Sequence, residues 1–371
     1  PLYSSAASDV YKRQILTTPN LHLTMGIKTP PTMNTAEVTN RGFELTVGWK
    51  DHVGDFNYAV STNFSYNHNE VTKYLGKYEA GWVEKDGKKV WQSNIGDVSV
   101  DKDKGRIVEG HPIKEYYTLN TYSGNGTHFN SDGSVNINGG PKDGMIRTEG
   151  DMKWLNAMID AGYKFMPNQS VGRNNIYYGD LIYADLNGDG IYGSSYDYDF
   201  QGSSAMPKFG YGINISASWK NFDLSMLWAG NGGFKLYWEE DPYNSVAIRN
   251  GFATSERVAN DHYFYDPENP TDSRTNLNGY IPRLVENSKQ SRQTSNYYLY
   301  NGTYMKLKNL TIGYTLPVTL TEKISAERVR VYLSGENLFT ITSFPGQDPE
   351  MGATTNYPSL RQFAAGISVT F

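Results

Sequence analysis

The chain has 371 residues with 34 basic and 39 acidic side chains, a net charge of −5, which argues against a nucleic-acid partner because phosphate binding needs concentrated Lys and Arg. It contains no cysteine, so disulfides, thiolate zinc sites and cysteine nucleophiles are excluded. A mean hydropathy of −0.58 and the lack of any run of about 18 apolar residues exclude a spanning helix, but not a barrel whose strands bury only alternate residues.

Pro1–Gln14, PLYSSAASDVYKRQ, carries no targeting pattern. It resembles the translated read-through of a sequencing adapter, and we expect it to be a non-natural leader before a protein whose upstream part is missing; the alternative is an ordinary polar leader. Period-two segments then follow one another. FELTVGWK sets Phe43, Leu45, Val47 and Trp49 on one face, and FNYAVSTNFSYN sets Phe56, Tyr58, Val60, Phe64 and Tyr66 against Asn57, Ser61, Asn63 and Ser65. KFGYGINISASW places Phe209, Tyr211, Ile213, Ile215 and Trp219 together, and FDLSMLW follows after Lys220 and Asn221. YMKLKNLTIGYTL, ERVRVYLSGENLF and the terminal RQFAAGISVTF bring the number of strands to seven.

The connections sort by length. Asp51–Asp55, Lys220–Asn221 and Pro317–Ala326 are short, whereas His68–Pro207, Ala229–Thr303 and Thr340–Leu360 are long, and the two kinds alternate without exception. An up-and-down barrel gives that alternation when turns on one membrane side are trimmed and loops on the other are extended. The parity puts Phe371 on the short-turn side, where its strand, paired within a barrel, presents Phe363, Ile367, Val369 and Phe371 to lipid. Within the large loop region 68–207 we expect small strands at Pro112–Tyr122 and Gly179–Ala184; no helical repeat is evident. The aromatic share of 14%, with 29 Tyr, fits either interfacial girdles or a sugar-binding surface.

NTAEVTNRGFELTVGWKDHVGDFNYAVSTNFSYNHNEV, GDLIYADLNGDGIYG, MPKFGYGINISASWKNFDLS, YLYNGTYMKLKNLTIGYTLP, VRVYLSGENLFTIT and the closing SVTF, in that order from about Ile15 to Phe371, together resemble the C-terminal part of a SusC/RagA-type TonB-linked outer-membrane transporter of Bacteroidota. The resemblance implies an all-β chain, the C-terminal part of a large antiparallel transmembrane β-barrel with long extracellular loops. It implies import of oligosaccharides or peptides handed over by a SusD-like surface lipoprotein, powered by a TonB complex through an N-terminal part missing here, with outer-membrane lipid around the wall. Seven strands cannot close a barrel of about 22, so this chain alone is not expected to transport.

Asp185, Asn187 and Asp189, with Gly190 and the carbonyl of Ile191, match the opening of a calcium loop: oxygen ligands at alternate positions, then a glycine for the sharp turn. Position 12, where a bidentate Glu is expected, is Tyr196, with Asp197 and Asp199 as possible substitutes. The readings are a structural Ca2+ or an Asp-Asn-Gly turn whose side chains bond nearby backbone. Trp82, Trp91, Trp154 and Trp238 fall in the long loops; each is a candidate to stack on cargo, against the commoner role of loop packing. The six His residues show no metal-ligand spacing, and Glu239, Glu240 and Asp241 read as loop acids rather than a glycosidase pair. An enzyme is therefore disfavoured. The alternative from another class is a soluble glycan-binding β-sandwich, which would bury Phe56, Tyr58, Ile213, Ile215 and Val331 between two sheets.

Overall fold

The computed structural model describes residues 3–17, 33–99, 103–170, 173–238, 255–285, 289–353, 357 and 359–371. One antiparallel sheet of eight strands dominates: β1 (Tyr3–Thr17), β2 (Met33–Val53), β3 (Phe56–Lys73), β4 (Phe209–Trp219), β5 (Phe222–Gly232), β6 (Tyr304–Thr315), β7 (Arg328–Thr342) and β8 (Gln362–Thr370). Their spatial order is their chain order, as an up-and-down wall requires. Seven are the strands expected from period two, with β2 and β3 running further than expected towards the long loops. The eighth, β1, takes in most of Pro1–Gln14 and pairs with β2 from Tyr3↔Gly48 to Ile15↔Ala36. A ladder needs only backbone N–H and C=O groups, which almost any sequence supplies, so this pairing is independent of the segment's origin.

The turns keep the expected asymmetry. One rim carries Gly54–Asp55, Lys220–Asn221 and the compact connection 316–327, while the other carries 74–208, 233–303 and 343–361. Two-residue turns need positive φ, and Gly54 (60°) and Lys220 (53°) provide it.

No second sheet packs on this one among the described residues, where every other ladder has two or three strands. Phe56 and Val331 are each 41% exposed, and Tyr58, Ile213 and Ile215 are only half-buried. The sandwich alternative is set aside by that exposure, since a sandwich core would have interlocked these side chains.

The larger buried cores lie instead in the long connections. The largest gathers Leu119, Tyr122, Met145, Ile146, Trp154, Leu155, Met158, Leu181 and Tyr183. It is built on a strand at Glu115–Leu119, inside the expected Pro112–Tyr122 segment, and on a helix, α1 (Glu149–Asp160). At Gly179–Ala184 there are isolated bridges, Leu181 to Met145 and Tyr183 to Thr121, rather than a strand. The helix went unanticipated. Thr148 caps it by accepting from Asp151 N while the Asp151 side chain accepts from Thr148 N, a reciprocal arrangement that satisfies two of the orphan donors of the first turn.

Candidate functional site: the barrel wall and its outer loops

Strand register turns scattered aromatics into two rows on the apolar face. Phe56 faces Trp219, Trp219 faces Phe222 and Phe222 faces Tyr314, all beside the short turns. Near the other rim Phe43 faces Tyr66 and Tyr66 faces Phe209, with ring centroids 5.9 and 5.5 Å apart. Between the rows lie Leu45, Val47, Val60, Ile213, Ile215, Leu224, Met226, Leu310 and Ile312. Along β3 the rows are about ten residues apart, roughly 33 Å at 3.3 Å per residue; a strand tilt of about 40° reduces this to about 25 Å. That is the height of the apolar band on a transmembrane barrel, which is bounded by such aromatic girdles. Trp219 and Phe222 are half exposed, 51% and 52%, an arrangement that water penalises and a bilayer interface favours.

The opposite face is polar. Ser61, Asn214, Ser216, Ser225, Asn309 and Glu336 line a hollow of about 980 Å3 on it. Nearer the short rim, Arg330 of β7 grips Asp223 of β5 across the intervening β6, donating from Nε to Oδ1 at 2.8 Å and from Nη2 to Oδ2 at 2.5 Å. The pair can cross because residue 313 of β6 has no side chain: a Cβ there would lie 2.5 Å from both Arg330 Nε and Asp223 Oδ1.

The four tryptophans part company. Trp154 is fully buried in the main loop core, and its indole N–H donates to Asn136 O at 2.8 Å. Burial leaves it no face to stack on cargo. Trp238 is also buried, packed on Phe344 and Tyr300. Trp82 and Trp91 do stand at the surface, opposite each other on a hairpin of strands Ala80–Lys85 and Lys88–Ser93, with rings T-shaped at 5.7 Å. Trp82 is 43% exposed.

That hairpin leans on the calcium-like turn, because Trp82 Nε1 donates to Asn187 O at 3.0 Å. In the turn itself Asp185 accepts from the backbone N–H of Gly188 and Gly190, and Asp189 accepts from Ile191 N. These are bonds of an Asx-type turn. Tyr196, at the position where a closing carboxylate was wanted, is 48% exposed, and Asp199 is tied to Phe200 N. Asp197 is buried with its two oxygens on Leu186 N and Ser194 N. Burial pushes its carboxyl above the usual range, and the charge of Asp185 adds to the shift. Among the described residues no three acidic or imidazole side chains converge on a metal position; Glu239–Asp241 lie outside them.

Sequence reasoning missed a further group. Lys306 of β6, with its side chain 2% exposed, donates to Asp348 at 2.6 Å and Glu350 at 3.0 Å, both in the β7–β8 connection. Lys308 also pairs with Glu350, and Ser359 donates to Asp348 at 2.5 Å.

Comparison with known proteins agrees with this architecture. No family model matches the chain. It is 27% identical over 354 residues to the TonB-dependent receptor P3 of Formosa agariphila, covering 91% of this chain and 29% of that protein. It is 24% identical over 345 residues to the TonB-dependent receptor SusC of Bacteroides thetaiotaomicron, covering 92% of this chain and 27% of SusC. Among solved structures, the RagAB peptide transporter superposes with a TM-score of 0.63 at 20% identity, over 100% of this chain and 33% of its own. The chain thus spans about a third or less of the proteins it matches.

Proposed function

We propose, from the premise that this chain is of the SusC/RagA TonB-dependent receptor type, that it forms part of the wall and outer vestibule of an outer-membrane importer for oligosaccharides or peptides. The observation that carries this reading is the pair of aromatic rows bounding an apolar band about 25 Å high, the height of the hydrocarbon layer seen by a barrel. The long rim would then face outward from the cell, with the exposed Trp82, backed by the half-buried Trp91, able to stack on a sugar ring or an apolar peptide side chain. A SusD-like lipoprotein would deliver cargo to that rim and a TonB complex would supply energy through parts of the receptor beyond this chain.

The wall can be tested by a pair of neighbouring substitutions in the full-length receptor. Ile215→Arg points into the band, where Arg near the midplane costs about 2–4 kcal/mol, and should abolish assembly in the outer membrane. Asn214→Arg points to the polar side and should assemble normally. Equal tolerance of the two would refute the membrane reading. Transport itself is tested by deleting the gene and measuring uptake of labelled oligosaccharide and peptide pools: loss of one pool identifies the cargo class, and retention of both refutes import.

The Asp185–Ile191 turn is proposed to hold one structural calcium ion that braces the tryptophan hairpin. What supports it is the spacing of Asp185, Asn187 and Asp189, whose side-chain oxygens keep unused lone pairs, and the repulsion between Asp185 and buried Asp197 that a cation would relieve. Without a closing bidentate carboxylate, water must complete the shell, and the affinity expected is that of weak extracellular sites, a Kd of about 10⁻⁴–10⁻³ M. Calorimetric titration of the receptor showing neither heat nor stabilisation at several millimolar Ca2+ would remove this site.

A further inference from the structure

The β7–β8 connection does not project away from the wall. Phe344 is buried against Phe234, Leu236, Trp238 and Tyr304, and the following residues come to rest on Lys306, whose register partners Ala229 and Thr340 belong to the polar face by strand parity. The register of β6 slips between Leu307 and Asn309. Such a bulge re-aims a side chain, and here it brings Lys308 into the polar hollow with Asn309 and Glu336. Two lysines on the wall therefore meet two carboxylates on the connection, with Asp348 itself only 6% exposed. Asp348 is further fixed by capping the short 3-10 turn Pro349–Met351, accepting from Glu350 N.

A cluster like this is costly to bury and is strongly disfavoured when any member is removed. It adds nothing to a wall that its own ladder already holds. We propose that Phe344–Met351 is an infolded strap, latched by Lys306 and Lys308, that narrows the cargo passage just above the polar hollow. The proposal rests on the barrel reading: only in a barrel is the polar face a passage. The strap would then set which cargo cross-section can pass, an oligosaccharide or peptide threading past the neutralised ion cluster rather than binding to it.

The test uses the full-length receptor in outer-membrane vesicles, with its other cysteines, where there are any, replaced. Pro349→Cys puts a thiol at a buried position on the strap and Asn309→Cys puts one on the wall beneath it. Lys306→Met keeps the side-chain stem and removes the latch from the wall, whereas Asp348→Asn weakens it from the strap and leaves every strand untouched. Both should accelerate labelling of the thiol at 349 by an impermeant maleimide about tenfold. Labelling of the thiol at 309 by a bulky polyethylene-glycol maleimide should rise by a similar factor. Unchanged rates at 349 in both variants would overturn the latch, and unchanged access at 309 would overturn the narrowing. Heat-modifiable gel mobility and outer-membrane fractionation, run in parallel, report failure of the barrel reading separately.

Discussion

Gly313→Ala probes a place where an ion pair across the wall depends on a missing side chain. The new methyl would sit 2.5 Å from Arg330 Nε and from Asp223 Oδ1, and closer still to Nη2, so the bidentate pair must open. Hydrogen bonds to charged groups contribute about 1.5–3 kcal/mol when sheltered. Side chains 23% and 33% exposed are partly screened, so about 1–2 kcal/mol is the loss expected here. Against it stands the gain from restricting a glycine in a strand, about 0.5–1 kcal/mol. The net expectation is a destabilisation of about 1 kcal/mol, close to fivefold in the folding constant. Denaturant unfolding of the refolded full-length barrel in detergent micelles, read by Trp fluorescence, measures it. The decisive comparison is the same substitution in an Asp223→Ala/Arg330→Ala background. There the clash is gone, and Gly313→Ala should be neutral or slightly stabilising. An equal cost in both backgrounds would show that the pair has no part in the effect.

Trp154→Ala should cost about 3–5 kcal/mol in the loop core and show itself as rapid proteolysis of the 119–192 region; preserved protease resistance with reduced cargo affinity would instead return Trp154 to the cargo surface. Trp82→Phe keeps an aromatic ring but loses the bond to Asn187 O, so cleavage of the hairpin should rise severalfold with cargo affinity nearly intact, while Trp82→Ala should lower affinity as well. In the strap, burial alone would push Asp348 and Glu350 up, yet bonding from Lys306 to both, with Ser359 on Asp348 and Lys308 on Glu350, holds both carboxyls below their usual values. Groups depressed in this way stabilise the folded strap above the ordinary carboxylate range and lose that contribution as pH falls through the lowered values. Amide exchange at Gly346–Met351, corrected for intrinsic rates, should therefore be protected at pH 7 and lose protection below about pH 4; protection unchanged to pH 2 would mean that apolar packing at Phe344 holds the strap by itself.

What the sequence made legible follows from how local each signal is. A strand such as KFGYGINISASW declares its two faces within itself, and Lys220–Asn221 fixes the register of β4 on β5. The lower aromatic row could not be read in the same way, because Phe56 and Trp219 become neighbours only after the chain returns from the excursion 74–208. Two local signals were present and passed over: Thr148 and Asp151 ahead of Trp154, Leu155 and Met158 spell a capped amphipathic helix, and Asp86-Gly87 between alternating residues spells the tryptophan hairpin. Both were hidden by the Gly- and Asn-rich composition around them, which reads as loop.

The tryptophans and the latch mark a harder boundary. An indole in a loop has the same sequence signature whether its ring meets solvent, as at Trp82, or a core, as at Trp154, since burial is decided by residues such as Leu119 and Tyr183 that lie far away in the chain. Lys306 is half legible. In MKLKNL the polar residues Lys308 and Asn309 fall side by side and break period two, which announces a bulge and a reoriented lysine. A lysine on a sheltered wall must find a carboxylate, but the chain offers 39 acidic residues, and nothing local singles out Asp348. Its selection depends on the β7–β8 connection folding inward, where Phe344 is buried beside Tyr304 and the two lysines meet Asp348 and Glu350, so the partner is chosen by tertiary packing and not by local sequence.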